Sequence, residues 1–459
     1  MMWAKDGSPI TSWGFNVLKV GATRKGKTLS GVADIVAHPE EAAIIFDPHP
    51  DSLAMAALTH VEGNVLFVRL SDIDHPLGFA LLTPSSHPDP RKREMENQKR
   101  AEVFTDILLH RRGSDGLAGT PLMEEWTMAA LMLFLYQRTP LPLRLLPYAF
   151  SPGTDEFERL VGGCTLGEIK AKFRQYAGMP PRTQRSEAGS TQRLFNAVFR
   201  SQAFTAFSGG GFDLPRFLDN KGRLIFEKGE DVSDDAMRVI YGAVSHLVID
   251  YAKARKSPFP RWRIHTDEAT NAGLFSPNVE GKALKETSKN GLNFTIYVQD
   301  LEFPGGSDGV LQNCLRHEWF GCPLYDLARK AAVDILSGLP ATDEARAARL
   351  EWLTTDVMNL GPGWRWVREP RGSWKEYVPM LASPWPNWPG LRDAKLKEKL
   401  EKTWQRSEYG TPALPWSGAP CTPPSSSSSG SSPPPPPKSP RSSAARRWKF
   451  GNDRPPAGS

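Results

Sequence analysis

The chain has 459 residues, a formal net charge of +6, and hydrophobic residues at 39 % of its positions. This length is enough for two or more domains with a substantial core. Six Lys or Arg and one Asp lie in residues 411–459, so residues 1–410 carry only about +1. The charge balance therefore excludes a folded part that binds nucleic acid through a strong overall positive charge, although local basic patches remain open.

Membrane-spanning and disulfide- or zinc-stabilised proteins are also disfavoured. The longest apolar stretch, residues 128–136, has nine residues, whereas a membrane-spanning helix needs roughly 20. No apolar run at the N-terminus indicates a signal peptide. The four cysteines show no C-x-x-C spacing, which zinc sites and redox motifs use. We therefore expect a soluble cytoplasmic protein with free thiols and no membrane span of its own.

The first predicted elements are a strand at residues 16–20 and a helix at residues 29–37, joined by a glycine-containing segment. This segment fits the G-x-x-x-x-G-K-[ST] phosphate-binding pattern at every fixed position. Its residues are Gly21, Ala22, Thr23, Arg24, Lys25, Gly26, Lys27 and Thr28. The glycines let the backbone curl so that successive N–H groups point at one phosphate chain. We expect Lys27 to contact the β- and γ-phosphates and the Thr28 hydroxyl to bind Mg²⁺.

Strand and helix continue to alternate up to residue 68. Short apolar runs predict strands at residues 43–46 and 64–68, and residues 52–60 predict a helix between them. This alternation is typical of an α/β fold with a parallel sheet and right-handed crossovers. Asp47 and Asp51 follow the second strand, so both are candidates for the nucleotide site. Asp51 fits equally well as a cap of the following helix.

The alternation stops in the next part of the chain. Residues 88–206 show helical patterns and loops, with helices predicted at 91–109, 122–137 and 191–207. We interpret this part as an all-helical insertion in the α/β domain. Arginines alternate there with Gln and Phe, a mixture that either follows a phosphate backbone or forms a solvated helix face. They are Arg182, Arg185, Arg193 and Arg200.

The α/β pattern returns with a strand at residues 222–227 and an amphipathic helix at 234–255, for which Ser233 is the predicted N-cap. A strand at residues 261–266 then ends in Asp267 and Glu268. Such a strand end supplies the second half of an ATPase site. We expect Asp267 to hold Mg²⁺ and Glu268 to orient and deprotonate the attacking water.

Two further strands are predicted near this site. A helix at residues 281–289 precedes a buried strand at residues 292–299, which ends in Gln299. This amide either contacts the attacking water and the γ-phosphate, and so senses the nucleotide, or only satisfies a loop. Residues 316–320 predict one more short strand. Arg263 and His265 are unusual in the strand before Asp267, where apolar side chains are expected.

These motifs together resemble the FtsK–HerA superfamily of DNA-pumping ATPases, in the branch of the conjugative coupling proteins of type IV secretion. The resemblance covers residues 13–335. It rests on the phosphate-binding segment, on Asp267 and Glu268, and on four further stretches. These stretches are IIFDPHPDSL, HPLGFALLTP, GRLIFEKGE and SKNGLNFTIYVQ. Two positions depart from the family pattern, because Pro50 replaces a Gly and Ala80 replaces an Asn.

The resemblance implies a RecA-like parallel sheet and a ring hexamer that hydrolyses ATP with Mg²⁺ and moves DNA. It places Lys27 and Glu268 in catalysis, Asp267 and Thr28 on the metal, and Gln299 as the sensor. The family's arginine, which a neighbouring subunit supplies, has two candidates here, Arg316 and Arg193. Most coupling proteins carry N-terminal membrane helices, and only twenty residues precede Gly21. Recruitment to the inner membrane would therefore need a partner.

The C-terminal part carries fewer signals. Helices are predicted at residues 343–353 and 391–404. The tryptophan-rich stretch between them either contacts a partner or nucleic acid bases, or packs as a loop on the surface. The Pro- and Ser-rich residues 411–459 predict a disordered basic tail. The predicted domains are a RecA-like first part at 13–87, a helical insertion at 88–215, a RecA-like second part at 216–338, an extension at 339–410 and the tail at 411–459.

The sequence therefore predicts an ATP-hydrolysing motor that moves DNA, or a nucleoprotein, through a ring. DNA contacts would be made to the backbone and be independent of base sequence, and secretion or relaxosome proteins are the candidate partners. The alternative is a nucleotide-dependent scaffold with little hydrolysis, which acts with a partner protein in DNA transfer or anti-phage defence. A P-loop kinase lacks support, because no lid motif with clustered arginines is visible.

Overall fold

A computed structural model describes residues 14–49, 53–109, 121–139, 141–209, 211–269, 283–303, 307–340 and 342–378, together with Glu398. Within these residues, nine strands form one sheet in the order β3-β4-β2-β5-β6-β1-β7-β8-β9. The strands are β1 (Asn16–Val20), β2 (Ala42–Asp47), β3 (Val65–Arg69), β4 (Arg223–Glu227), β5 (Trp262–Thr266), β6 (Leu292–Val298), β7 (Cys314–Trp319), β8 (Trp364–Glu369) and β9 (Gly372–Tyr377).

The strands β1 to β7 run parallel to one another, and β8 and β9 are added antiparallel beyond β7. The parallel strands are short, apolar runs that are buried almost throughout, as expected of a sheet covered on both faces. The predicted α/β class with a parallel sheet is confirmed. So are the strands predicted from residue 16 to residue 68 and from residue 222 to residue 320.

Fourteen α-helices accompany the sheet in the described residues. They are α1 (Lys27–Ala37), α2 (Leu53–His60), α3 (Pro90–Leu109), α4 (Pro121–Leu135), α5 (Asp155–Gly163), α6 (Gly167–Ala177), α7 (Pro181–Phe199), α8 (Gln202–Phe207), α9 (Leu214–Asp219), α10 (Asp234–Ala254), α11 (Leu284–Glu286), α12 (Ser307–Asn313), α13 (Tyr325–Ser337) and α14 (Asp343–Met358). A 3₁₀ helix, Leu143–Phe150, lies between α4 and α5. The predicted helical insertion thus corresponds to α3–α9, and its domain boundaries stay predictions.

The two faces of the sheet are covered by different helices. On one face, α1 and α2 pack against apolar side chains of β2, β3 and β4. On the other face, α10 lies between the sheet and the helical insertion, and one continuous apolar core extends through all three. Helix α10 starts at the predicted cap, because the Ser233 hydroxyl accepts a hydrogen bond from the backbone N–H of Ala236.

Beneath α1 the sheet carries a buried network of charged side chains. Lys19 of β1 donates hydrogen bonds to Ser30 and Asp34 of α1, each at 2.6 Å, and to Glu318 of β7 at 2.7 Å. Arg365 of β8 donates to Ser30 at 2.7 Å and also to Glu318. Buried charges are tolerated when they are paired in this way. The network connects α1 to the antiparallel strands at the edge of the sheet.

The two unexpected polar residues of β5 also face partners. Arg263 forms an ion pair with Glu41, with 2.9 Å between Nε and Oε2. The Nδ1 atom of His265 lies 2.9 Å from the Tyr297 hydroxyl. Burial lowers the pKa of His265 well below its ordinary value, so the imidazole is neutral. Both side chains are therefore satisfied inside the sheet layer, and they do not weaken the strand that leads to Asp267.

Two predictions for the second half of the chain are wrong in part. Of the two alternatives for the tryptophan-rich stretch, the surface loop is wrong for Trp364 and Trp374, which lie in β8 and β9 and form a hairpin. Residues 370 and 371 connect the two strands, and Gly372 at the start of β9 has φ of 141°. The helix expected at residues 281–289 is reduced to α11 and a 3₁₀ turn, Ser288–Asn290, and residues 281 and 282 lie outside the described residues.

None of the described helices is long and apolar enough to cross a bilayer. Cys164, Cys314 and Cys322 are buried free thiols, as expected. Cys421, the helix predicted at residues 391–404 and the predicted tail at residues 411–459 lie outside the described residues, apart from Glu398.

Candidate nucleotide-binding site

The phosphate-binding segment lies where β1 ends and α1 begins, at the edge of the sheet that also holds the ends of β5 and β6. Gly21 approaches Phe320 so closely that a Cβ atom on Gly21 would lie 2.6 Å from that side chain. Gly26 caps α1 with φ of 100°, in the left-handed region that favours glycine. Arg24 also has a positive φ, of 62°. The backbone of the loop thus requires glycine at both fixed positions, at Gly21 because of the close contact and at Gly26 because of the left-handed conformation.

Lys27 folds back over this loop. Its ammonium group donates hydrogen bonds to the backbone carbonyl of Gly21 and, at 3.1 Å, to that of Ala22. Burial lowers the pKa of Lys27, and the charges of Asp267 and Glu268 counteract this effect. The ammonium group therefore lies inside the loop, at the place where a bound phosphate chain would take over its hydrogen bonds.

Asp267 and Glu268 follow β5 directly, as predicted. Asp267 is 8 % exposed, and its carboxylate accepts a hydrogen bond of 3.0 Å from the backbone N–H of Glu268. Burial raises the pKa of Asp267 to about 6, although Lys27 acts in the opposite direction. Glu268 has φ of 42°, an uncommon backbone conformation for this residue type. Strain of this kind is frequent at functional sites.

Gln299 links the second acid to the phosphate-binding loop. Its amide nitrogen donates to Glu268 Oε1 at 2.7 Å, and its amide oxygen accepts from the Thr23 hydroxyl at 3.1 Å. The structure thus brings Lys27, Asp267, Glu268 and Gln299 together at one edge of the sheet, although they come from three separate strand ends. Glu268 and Gln299 therefore lie beside the phosphate-binding loop.

His49 belongs to this site, and its role was missed in the sequence. It follows β2, and its Nε2 atom lies 2.7 Å from Glu268 Oε2, with 52 % of the His49 side chain exposed. The hydrogen bond to Glu268 raises the pKa of His49, and the nearby Asp47 and Asp267 act in the same direction. The sequence signal for this residue is its place in the Asp-Pro-His element at the end of β2.

Asp47 lies beside the site but has a structural role. It is fully buried, and its carboxylate accepts hydrogen bonds from the backbone N–H of His49 at 3.0 Å and of Ala54 at 2.7 Å. Ala54 is in the first turn of α2, so Asp47 caps this helix. Asp51, the predicted alternative cap, lies outside the described residues.

Arg316 is not placed to act on a neighbouring subunit. It is 0 % exposed and donates to Glu318 at 2.6 Å and to Glu369 at 2.7 Å, with Glu376 at 3.4 Å. Burial alone would lower its pKa, but the three carboxylates raise it. An arginine that reaches another subunit's phosphate must project from the surface, so the catalytic role predicted for Arg316 is wrong. Arg193, the other candidate, is exposed on α7 and donates to Ser190 at 3.1 Å.

The donor set at the site fits Mg²⁺. This ion prefers oxygen ligands and is usually held by one or two protein groups together with phosphates and water. The Thr28 hydroxyl, in the first turn of α1, and the Asp267 carboxylate supply such ligands. Burial of the Asp267 carboxylate disfavours its charged form, which a divalent cation bound there would stabilise.

The C-terminal hairpin also reaches the phosphate-binding loop, which the sequence did not indicate. The Lys25 ammonium group donates to the carbonyl of Leu360 at 2.9 Å, and the Lys25 carbonyl accepts from the N–H of Gly363 at 3.1 Å. On the same side, the N–H of Ala22 donates to the carbonyl of Gly321 at 2.9 Å. Residues 360–363, just before β8, are therefore hydrogen-bonded to the phosphate-binding loop at Lys25.

Four arginines of the helical insertion share one face of α7, the last of them at its C-cap. α7 buries its apolar positions, and the four arginines are exposed. At 100° per residue they fall within about 80° of one another around the helix axis. They are Arg182, Arg185, Arg193 and Arg200, called here the arginine stripe. The stripe is compatible with both predicted alternatives, a phosphate-binding surface and a solvated face.

Solved structures of a coupling protein share this architecture. The unbound form of the bacterial conjugative coupling protein TrwBdeltaN70 aligns with a TM-score of 0.56 and 16 % identity, over 80 % of this chain and 85 % of that chain. The plasmid coupling protein TrwB in complex with ADP and Mg²⁺ aligns with a TM-score of 0.55 and 14 % identity, over 80 % and 86 %. TrwB in complex with the non-hydrolysable ATP analogue ADPNP gives 0.56 and 15 %, with the same coverage.

No protein-family model and no curated protein matches the sequence. The resemblance inferred from the motifs is confirmed by the structural comparison at the level of the fold. The chain has the RecA-like P-loop ATPase fold of the conjugative coupling proteins.

Proposed function

We propose that this protein binds ATP with Mg²⁺ and hydrolyses it to move DNA, as a ring of identical subunits. The observation that carries the proposal is the convergence of Lys27, Asp267, Glu268 and Gln299 around one phosphate-binding loop. Each of the four has the chemistry that phosphoryl transfer to water requires. Neighbours of the same fold were solved with ADP and Mg²⁺ and with an ATP analogue, which supports the nucleotide and the metal.

In this proposal the residues divide the work. Lys27 exchanges its backbone carbonyl partners for the β- and γ-phosphates. Mg²⁺, when bound by Thr28 and Asp267, supplies neutralisation of charge on the phosphate oxygens. Glu268 accepts the proton of the attacking water, and Gln299 hydrogen-bonds that water and the γ-phosphate.

The Glu268 carboxylate is held by two neighbouring side chains. Both of its carboxylate oxygens already accept a hydrogen bond or ion pair, one from Gln299 and one from His49. To act as a base, Glu268 has to exchange one of these partners for the attacking water. We infer that His49 is a positioning residue that restrains Glu268, and that release of this contact accompanies activation.

Replacing His49 with Gln is expected to raise turnover in the absence of DNA about two- to fivefold, because a partly exposed ion pair contributes up to about 1 kcal/mol. The pKa of His49 is raised, so the ion pair is present at low pH and is lost as the pH rises through that pKa. Basal ATP turnover of the wild-type chain should therefore increase as the pH rises through the pKa of His49.

The step in the pH profile should disappear in the His49→Gln variant. The control is His75→Gln, which removes another partly exposed histidine that is paired with a carboxylate, that of Asp72. Steady-state ATP hydrolysis from pH 6 to pH 9 measures both variants. Identical pH profiles for wild type and His49→Gln would contradict the positioning role.

The arginine stripe is the surface that we propose for DNA. Changing all four arginines to Gln is expected to weaken DNA binding and to reduce the slope of log affinity against log salt by up to about 3.5 units, because each phosphate contact to duplex DNA contributes roughly 0.9. ATP binding should be unchanged. The control variant changes Arg346 and Arg349, exposed on α14, to Gln. Fluorescence anisotropy with labelled DNA at several salt concentrations makes the measurement, and an unaltered slope would mean that the stripe is a solvated face.

The proposed function is tested by ATP hydrolysis of the full chain with Mg²⁺, with and without single- or double-stranded DNA, at low and high salt. We expect turnover to rise with DNA and to fall with salt. ATP binding without any DNA-stimulated turnover would contradict the motor. It would favour the alternative, a nucleotide-dependent scaffold that acts with a partner protein.

A further inference from the structure

The sheet order determines the direction in which a bound nucleotide extends from the phosphate-binding loop. β1, which leads into the loop, lies between β6 and β7. The side of β6 and β5 holds Gln299, Glu268 and Asp267, which are suited to the γ-phosphate. With the γ-phosphate on that side, as in the proposed function, the nucleoside end of the phosphate chain lies on the other side of β1, toward β7 and the hairpin of β8 and β9.

The hairpin contacts the loop on that side. Gly363 donates its N–H to the Lys25 carbonyl at 3.1 Å, and a Cβ atom on Gly26 would lie 3.2 Å from the Gly363 nitrogen. β8 runs antiparallel to β7, so the first residue of β8 and the last residue of β9 lie at the same sheet edge as the phosphate-binding loop. These two residues are Trp364 and Tyr377.

Trp364 and Tyr377 form an exposed aromatic pair at this edge. They are cross-strand partners with ring centroids 5.3 Å apart, and 42 % of Trp364 and 48 % of Tyr377 are exposed. A hydrogen bond next to the pair joins the two strands, because the N–H of Val378, after Tyr377, donates to the carbonyl of Gly363, before Trp364, at 2.8 Å. A Cβ atom on Gly363 would lie 2.9 Å from the Tyr377 ring, so the aromatic pair and the loop are separated by a single glycine.

We propose that the exposed ring of Trp364, supported by Tyr377, stacks on the nucleobase of the bound nucleotide. This inference rests on the proposed function, since it needs a nucleotide in the loop. Aromatic side chains bind bases through stacking, which tolerates any base because every base has a π-face. Gly363 leaves space between the loop and the rings, and the hairpin thereby becomes part of the nucleotide site.

The proposal is tested with two ligands in the presence of Mg²⁺: a non-hydrolysable ATP analogue, and inorganic tripolyphosphate, which lacks the base and the ribose. Isothermal titration calorimetry of the full chain gives both affinities. Trp364→Ala and, separately, Tyr377→Ala should weaken the ATP analogue, about tenfold for Trp364→Ala, and leave tripolyphosphate unchanged. Trp364→Phe should retain most of the affinity. The control is Trp352→Ala, which removes an exposed tryptophan from α14 and should change neither affinity.

The outcomes separate this proposal from the proposed function. An unchanged affinity for the ATP analogue in both alanine variants, with normal tripolyphosphate binding, overturns the stacking role and leaves the phosphate site intact. An equal loss of affinity for the ATP analogue and for tripolyphosphate in the alanine variants also overturns it. The hairpin would then affect binding only through the conformation of the phosphate-binding loop. If the wild-type chain binds neither ligand, the proposed function fails and the stacking role fails with it.

Discussion

Replacing Glu268 with Gln is expected to lower ATP turnover by a factor of about 10²–10⁴ while ATP still binds. The Gln side chain has the same shape, and its amide oxygen can still accept the hydrogen bond from Gln299. It lacks the carboxylate that is proposed to accept the proton of the attacking water. The expected pattern is a lower kcat with little change in affinity. Steady-state hydrolysis together with calorimetric binding of ATP measures both quantities.

A matched control for this variant lies on the same sheet edge. Glu302 follows β6 three residues after Gln299 and is exposed, so Glu302→Gln makes the same chemical change outside the proposed site. This variant should keep wild-type turnover. Turnover of Glu268→Gln within a few-fold of wild type would assign the base to another group and remove the proposed mechanism.

Replacing Lys27 with Ala is expected to weaken ATP binding by at least about 30-fold, because the loss of one partner in a buried charged hydrogen bond costs roughly 2–5 kcal/mol. Lys27 is 7 % exposed, and without it the loop would present carbonyl oxygens to the phosphates in place of an ammonium group. Binding of ATP and of tripolyphosphate should both be lost, since the charge acts on the phosphates.

The control for Lys27→Ala is Lys289→Ala. Lys289 is exposed just before β6, at the opposite edge of the sheet, and it should not affect binding. Thermal unfolding of each variant without nucleotide separates loss of binding from loss of folding. Wild-type affinity of a folded Lys27→Ala variant would contradict the phosphate-binding role of the loop.

The sequence was sufficient for the parts of the site that depend on local backbone geometry. The phosphate-binding loop requires glycine at fixed places, as the positive φ of Gly26 and the close approach of Gly21 to Phe320 show. Asp267 and Gln299 were found because each ends a buried strand, and parallel strands place their ends at one edge. Local patterns of this kind are visible without any knowledge of distant contacts.

The missed features all depend on side chains that are distant in sequence. His49 meets Glu268 only because β2 and β5 are neighbours in the sheet. Arg316 is buried under three carboxylates, from β7, β8 and β9, and this burial depends on strand pairing that the local sequence does not show. The contact between Lys25 and Leu360 likewise joins segments that are more than 300 residues apart.

The hairpin illustrates the same limit. Trp364 and Trp374 stand among prolines in the sequence, which favours a loop packed on the surface. Its strands are stabilised by pairing with β7 and by the buried pair of Arg365 with Glu318. These contacts are tertiary, so the local sequence did not reveal them.

Movement of DNA is the central claim, and release of streptavidin from the biotinylated end of a DNA molecule tests it most directly. The full chain is incubated with Mg²⁺, ATP and single- or double-stranded DNA that carries biotin at either end. We expect ATP-dependent release from at least one of these substrates with the wild-type chain and none with Glu268→Gln. DNA-stimulated hydrolysis without release from any of the substrates would contradict translocation.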